Sequence, residues 1–134
     1  MKKILIVSKS NFFKKKIKNK NFFFINNKKK LKLKYLDRIN PNIIFFPHWS
    51  FKVNEDIIQK YLCIGFHCSP LPYGRGGTPI QNMILKGFSK TTLCAIKMEK
   101  EYDTGPIYKK VSVSLSGSGS EILERLYFII LKIA

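Results

Sequence analysis

IIFFPHWSFKVNEDIIQKYLCIGF, residues 43–66, is the stretch on which the fold turns. Ile43 to Phe46 is a short continuous apolar run, the pattern of a strand buried on both faces of a parallel sheet. Asn54-Glu55-Asp56, ahead of Ile57, Ile58, Tyr61 and Leu62, reads as a capped helix. Its acids lie in the first turn and Lys60 near the end, the charge order that suits the helix dipole. Leu62 to Phe66 then begins another strand. Strand, helix and strand in succession make the crossover unit of an α/β layer fold.

The same alternation extends both ways. Upstream, Ile4 to Val7 and Phe22 to Ile25 are further strand candidates, and Leu31 to Ile39 reads as a helix stopped by Pro41. Downstream, Thr78-Pro79-Ile80-Gln81 is a capping box with proline at the first helical position, and Gly87 is the matching stop. Thr91 to Met98 alternates, with Cys94, Ile96 and Met98 on one face, and Ile107 to Leu115 is a last strand. Ser116 to Ser120 reads as a connector and Glu121 to Lys132 as a helix. The expectation is one domain over residues 1–134: α/β, a mostly parallel open sheet with helices on both faces.

Composition bounds the function. With 134 residues, 45% of them hydrophobic, the chain can bury one core. No apolar run approaches the roughly 18 residues of a membrane helix, so no membrane partner is expected. MKKILIVSKS has a basic flank but only four apolar residues, Ile4 to Val7, and reads as a first strand in a cytoplasmic protein rather than as a signal peptide. Cys63, Cys68 and Cys94 form no C-x-x-C pair, which argues against a disulfide framework or a zinc site and for reduced thiols.

The formal charge of +17 is concentrated at one end. Residues 1–36 hold 13 lysines and no acid, whereas residues 37–134 hold 12 basic and 8 acidic residues. Only Arg38, Arg75 and Arg125 are arginines. A nucleic-acid binder would be expected to use more of that planar bidentate fork. The lysines therefore read as a solvated face or as an attractor for a phosphorylated ligand.

Ligands of such sheets bind where loops leave the strands' carboxyl ends. Two such loops carry both histidines and the only Trp: Pro47-His48-Trp49-Ser50, and the segment from His67 through Gly77. Gly74, Gly76 and Gly77 let backbone approach a ligand, and Arg75 can bind an anion. Asp103-Thr104-Gly105 is ordinary turn chemistry by itself.

Taken together, FHCSPLPYGRGGTPIQNMILKG, a strand, and then EYDTGPIY resemble the catalytic core of the 10-formyltetrahydrofolate-dependent formyltransferases. That family has a strand ending in Asn-x-His, a Ser-Leu-Leu-Pro-type loop with Arg-Gly, a helix opening Pro-Ile-Gln, and Asp-Thr-Gly about three dozen residues after the His. Here His67 precedes Asp103 by 36 residues, and the resemblance covers roughly residues 43–110. It implies a Rossmann-like core and formyl transfer from 10-formyltetrahydrofolate to a primary amine. His67 and Asp103 would be catalytic, and Ser69, Leu71, Pro72, Arg75, Gly76, Tyr102, Thr104 and Gly105 would hold the folate. The implied acceptor is a small molecule, a nucleotide-linked amino sugar. Methionyl-tRNA is the alternative, with tRNA as partner, favoured by the basic N-terminal third but opposed by the additional C-terminal domain that the tRNA-modifying members carry. A third reading is a weak or inactive folate- or nucleotide-binding relic.

One departure bears on the chemistry. Gly65 stands where the family has the Asn of Asn-x-His, removing a side-chain amide that would hold the formyl oxygen. Loss of one oxyanion donor costs roughly two to three orders of magnitude in rate. Either His48 takes over, with Trp49 walling the pocket, or catalysis is weak. Pro70 in place of a Leu also stiffens the loop.

Overall fold

The computed structural model describes residues 2–49, 51–68, 84–100 and 105–133. In chain order they form β1 (Ile4–Val7), α1 (Phe12–Lys16), β2 (Phe22–Ile25), a 3-10 turn (Lys28–Lys30), α2 (Leu33–Ile39), β3 (Ile43–Phe46), α3 (Glu55–Lys60), β4 (Cys63–Cys68), β5 (Lys90–Lys97), β6 (Ile107–Ser114) and α4 (Gly119–Ile133). The sheet runs β2-β1-β3-β4-β5-β6. The first four strands are parallel neighbours, with Ile4 beside both Phe22 and Ile43 and Ile44 beside Cys63. β5 and β6 add antiparallel to β4 and to each other.

The continuous apolar runs are explained by burial from both sides: Leu5, Ile6 and Val7 are 0–1% exposed. On one face Leu5, Val7, Ile44, Phe46 and Cys63 pack against Leu36 and Ile39 of α2 and Ile57 of α3. On the other, Ile6, Phe45, Ile64, Leu93 and Val113 meet Phe13 of α1 and Ile122, Leu126 and Ile130 of α4. Each such side chain contributes about 1.5–3 kcal/mol by leaving water. The expected architecture of a mostly parallel sheet between helical layers is the one observed. No helix among the described residues is long and apolar enough to cross a membrane.

Several local expectations change. α2 starts at Leu33, after the 3-10 turn, and ends on Asn40 in the left-handed region (φ 53°), one residue before Pro41. Asn54 makes no side-chain cap bond to α3; instead Asp56 accepts the Ile57 N–H at 2.9 Å. α4 begins at Gly119, inside the stretch read as a connector. His67 lies within β4, so only His48 occupies a strand-end loop. The capping box at residues 78–81 lies outside the described residues, while Gly87 (φ 83°) follows the helical Ile84 and donates its N–H to that residue's carbonyl at 3.0 Å.

Candidate active site

Strand pairing assembles the site around a glycine. Parallel β3 sets Phe46 beside Gly65, and antiparallel β5 sets Ile96 on its other side. Gly65 and His67 are two apart on one strand and therefore share a sheet face, that of Cys63, covered by α2 and α3. His67 is paired with Cys94 across the ladder and is only 7% exposed. Its imidazole is thus carried by a rigid strand rather than by a loop, which limits how far it can stray from a productive position.

Next to Gly65 lies a cavity of about 110 Å³ whose walls include Phe46, Trp49, Ile58, Ile96 and Met98. A Cβ at Gly65 would sit 3.3 Å from Met98 Cγ and 3.6 Å from its Sδ, so the thioether occupies the direction a side chain there would take. Met98 is itself tied to β4 by its N–H, which donates to the Cys63 carbonyl at 2.8 Å. The cavity is walled by the ends of β3 and β5, at Phe46 and Lys97, and by the segments that leave them. Because β5 is antiparallel, its end at Lys97 lies opposite Ile64, near the start of β4, and residues 98–100 continue along the cavity wall.

Those residues lead toward the Asp-Thr-Gly segment. A Cβ at Gly105 would run into the Lys97 carbonyl, so close backbone approach accounts for glycine there. The crossing is closed by the Lys97 N–H, which donates to the Pro106 carbonyl at 2.9 Å. Asp103, Tyr102 and Thr104 lie outside the described residues, as do Ser69, Leu71, Pro72, Arg75 and Gly76; the expected convergence of Asp103 with His67 falls there too.

His48 and Trp49 diverge to opposite sides of the sheet. His48, exposed and in the left-handed region (φ 52°), sets its ring edge-on to Tyr127 of α4 at 6.0 Å. Trp49 packs on the α2 and α3 side and walls the cavity with Gly65. The structure therefore turns His48 to the opposite face from Gly65, while Trp49 lines the cavity beside that glycine. The indole Nε1 is buried with no hydrogen-bond partner, the one such side-chain atom among the described residues. Phe51 meets Trp49 edge-on at 5.2 Å, and the Nζ atoms of Lys9 and Lys28 lie 4.6 and 4.9 Å from the Phe51 ring centre. Two ammonium groups from the lysine-rich third thus gather at the cavity's rim, held partly by the ring's quadrupole.

Burial pushes the Cys63 thiol up to about 12, which keeps it protonated and unreactive. Among the described residues no three His, Cys, Asp or Glu side chains gather as metal ligands. What remains is a buried imidazole on the same face of β4 as Gly65, with a cavity beside that glycine whose walls also carry Lys52, Glu55, Lys97, Glu99 and Lys100. An imidazole can donate to a developing oxyanion or take a proton from an amine.

Over 82 residues, 60% of its length, the chain is 34% identical to methionyl-tRNA formyltransferase of Rickettsia massiliae (strain Mtu5). The solved methionyl-tRNA formyltransferase from Clostridium thermocellum matches it with a TM-score of 0.88 and 38% identity. The chain resembles the formyltransferases. The match spans 27% of the Rickettsia protein, and the chain covers 61% of the Clostridium one, which covers 97% of this chain in return. HypX from Aquifex aeolicus, solved in complex with tetrahydrofolic acid, shares the fold, with a TM-score of 0.73 and 17% identity over 96% of this chain and 25% of its own. No family model matches the chain. Both of these relatives, at 34% and 38% identity, are named methionyl-tRNA formyltransferase.

Met98 is the site residue that sequence reasoning missed. Alternation placed it on an apolar face with Cys94 and Ile96, but its position over Gly65 follows from the antiparallel direction of β5, which alternation does not encode.

Proposed function

We propose that this chain is the catalytic core of a formyltransferase that moves the formyl group of 10-formyltetrahydrofolate to the amino group of methionyl-tRNA. The reading is carried by the buried imidazole of His67, on the cavity face of β4, in a chain 38% identical over 97% of its length to a methionyl-tRNA formyltransferase. The fold shared with HypX, solved with tetrahydrofolic acid, supports a folate as donor. Lys9, Lys28 and Lys52 at the cavity rim suit an acceptor with a phosphodiester backbone.

The folate supplies an electrophilic formyl carbon on N10. The amine nitrogen bonds to that carbon as the carbonyl pair moves onto oxygen. When the carbon–N10 bond breaks, N10 leaves with the proton that the amine has lost. His67 donates to the oxygen as its charge develops, and Asp103 relays the proton through water.

Incubation with 10-formyltetrahydrofolate and either methionyl-tRNA or a nucleotide-linked amino sugar tests the reading, with tetrahydrofolate release and product mass as readouts. Formylmethionyl-tRNA is the expected product. A formylated sugar without formylated tRNA would overturn the acceptor and keep the chemistry. No release with either would leave a binding protein without catalysis.

A further inference from the structure

We propose that the recess between the carboxyl ends of β1 and β2 is a phosphate-binding site, separate from the cavity beside Gly65, with which it shares no residue. Its volume is about 70 Å³, and its apolar base includes the buried Ile6 of β1 and Ile25 of β2. The polar wall comes from three segments: Ser8 and Asn11 after β1, Lys14 on α1, and Asn26 and Lys30 after β2. With α1 only five residues long, the site is made of side chains and does not draw on a helix dipole.

The hydrogen bonds within the wall leave it rich in donors. Ser8 is 3% exposed, and its Oγ accepts the Ser10 N–H at 3.2 Å. Asn11 Oδ1 accepts from Asn26 Nδ2 at 3.4 Å. These acceptors are engaged, while the Ser8 hydroxyl proton and the Asn11 amide protons have no acceptor among the described residues. Lys14 and Lys30 add two ammonium groups, and neither forms an ion pair among the described residues. No acid precedes Asp37, and its carboxylate is taken by Lys60 and Tyr61. Protons and positive charge around engaged lone pairs select an anion. Donors converging from three segments suit a tetrahedral group, whose oxygens diverge, better than a planar carboxylate with two oxygens on one side. A volume of 70 Å³ holds about five waters at roughly 15 Å³ each, the size of a group with five non-hydrogen atoms. The phosphate belongs to an RNA backbone or to a small phosphomonoester, and the recess offers both the same contacts.

Backbone-amide NMR spectra of the isotope-labelled chain at constant ionic strength test the site. The probes are inorganic phosphate, a ribose monophosphate and a uridine dinucleotide without terminal phosphate. Inorganic phosphate is expected to shift the Ser8, Asn11 and Asn26 signals saturably, and chloride to leave them in place. Lys14→Gln with Lys30→Gln should weaken binding at least about 10-fold, and Ser8→Ala about 10-fold, the loss expected for a hydrogen bond to a charged group. Lys18→Gln with Lys20→Gln removes the same charge from exposed positions outside the recess and should change binding less than about 2-fold. Saturation by the dinucleotide assigns the site to an RNA backbone, and saturation by the monophosphate without the dinucleotide assigns it to a phosphomonoester. No saturable shift with any probe, or equal losses in the two lysine pairs, overturns the site. None of these readouts requires formyl transfer, so the result stands apart from the proposed function.

Discussion

At the scale of single residues, the proposed site is built on His67 and Gly65, which share one face of β4. His67 is held inside β4 at 7% exposure, whereas most histidines at a strand end are free to swing. Because the proposed contact strengthens only as charge develops on the formyl oxygen, His67→Ala is expected to abolish transfer while folate affinity, measured by calorimetry, stays within a few-fold. Gly65→Asn meets Met98 at 3.3 Å, but the obstacle is the flexible end of a side chain and not backbone. That variant should fold, at a cost of about 1 kcal/mol, seen as a drop of a few degrees in Tm. A collapse of the melt would show that the cavity wall is more rigid than the Met98 contact implies.

At the scale of elements, the two segments that close the β5–β6 region are built differently. Gly105 is dictated by backbone against backbone: its missing Cβ leaves room for the Lys97 carbonyl. Neither partner can move without breaking the bond from the Lys97 N–H to Pro106, so Gly105→Ala should cost more than about 2 kcal/mol in denaturant unfolding. α4 is fastened by side chains. Ser118 Oγ accepts the Glu121 N–H at 3.2 Å, Glu121 accepts the Ser118 N–H at 3.1 Å, and Arg125 donates to the Ser114 and Ser116 carbonyls at 2.6 and 3.0 Å. The Ser118 hydrogen bonds hold the Glu121 carboxyl below its usual range. This Ser-x-x-Glu box was legible in the sequence, hidden only by the flexible look of the surrounding Gly and Ser. α1 had no such signal: Asn11 makes no side-chain cap bond, and the helix is fixed by Phe13 packing 5.2 Å from the Tyr127 ring.

For the whole molecule, two buried protons set the alkaline limit. Burial raises Cys63 from 9.0 to about 12. Burial and then the hydrogen bond to Asp37 raise Tyr61 from 10.0 to about 12. Both groups keep their protons in the fold at pH values where the unfolded chain loses them, so their contribution is complete below pH 9.0 and declines as pH rises toward 12. Tm is therefore expected to fall between pH 9 and pH 11, and less steeply in Cys63→Ala, as pH-dependent melts would record. Equal slopes in the two proteins would remove Cys63 from the linkage.

The sequence by itself determined what depends on neighbours a few residues away: the apolar runs that became β1 to β4, the alternation that became β5, the α3 helix with acids at its start, and the glycine after Ile84. Periodicity and turn chemistry encode which side of an element is buried, and that information is local. The resemblance to the formyltransferases was likewise carried by residues close together in the chain. Only the tertiary structure decided that β5 runs antiparallel to β4, that Met98 fills the side-chain direction of Gly65, and that His48 turns to Tyr127 while Trp49 turns to the cavity. Strand direction and register depend on ladder bonds between segments far apart in the chain, and these bonds exist only once the two strands have met.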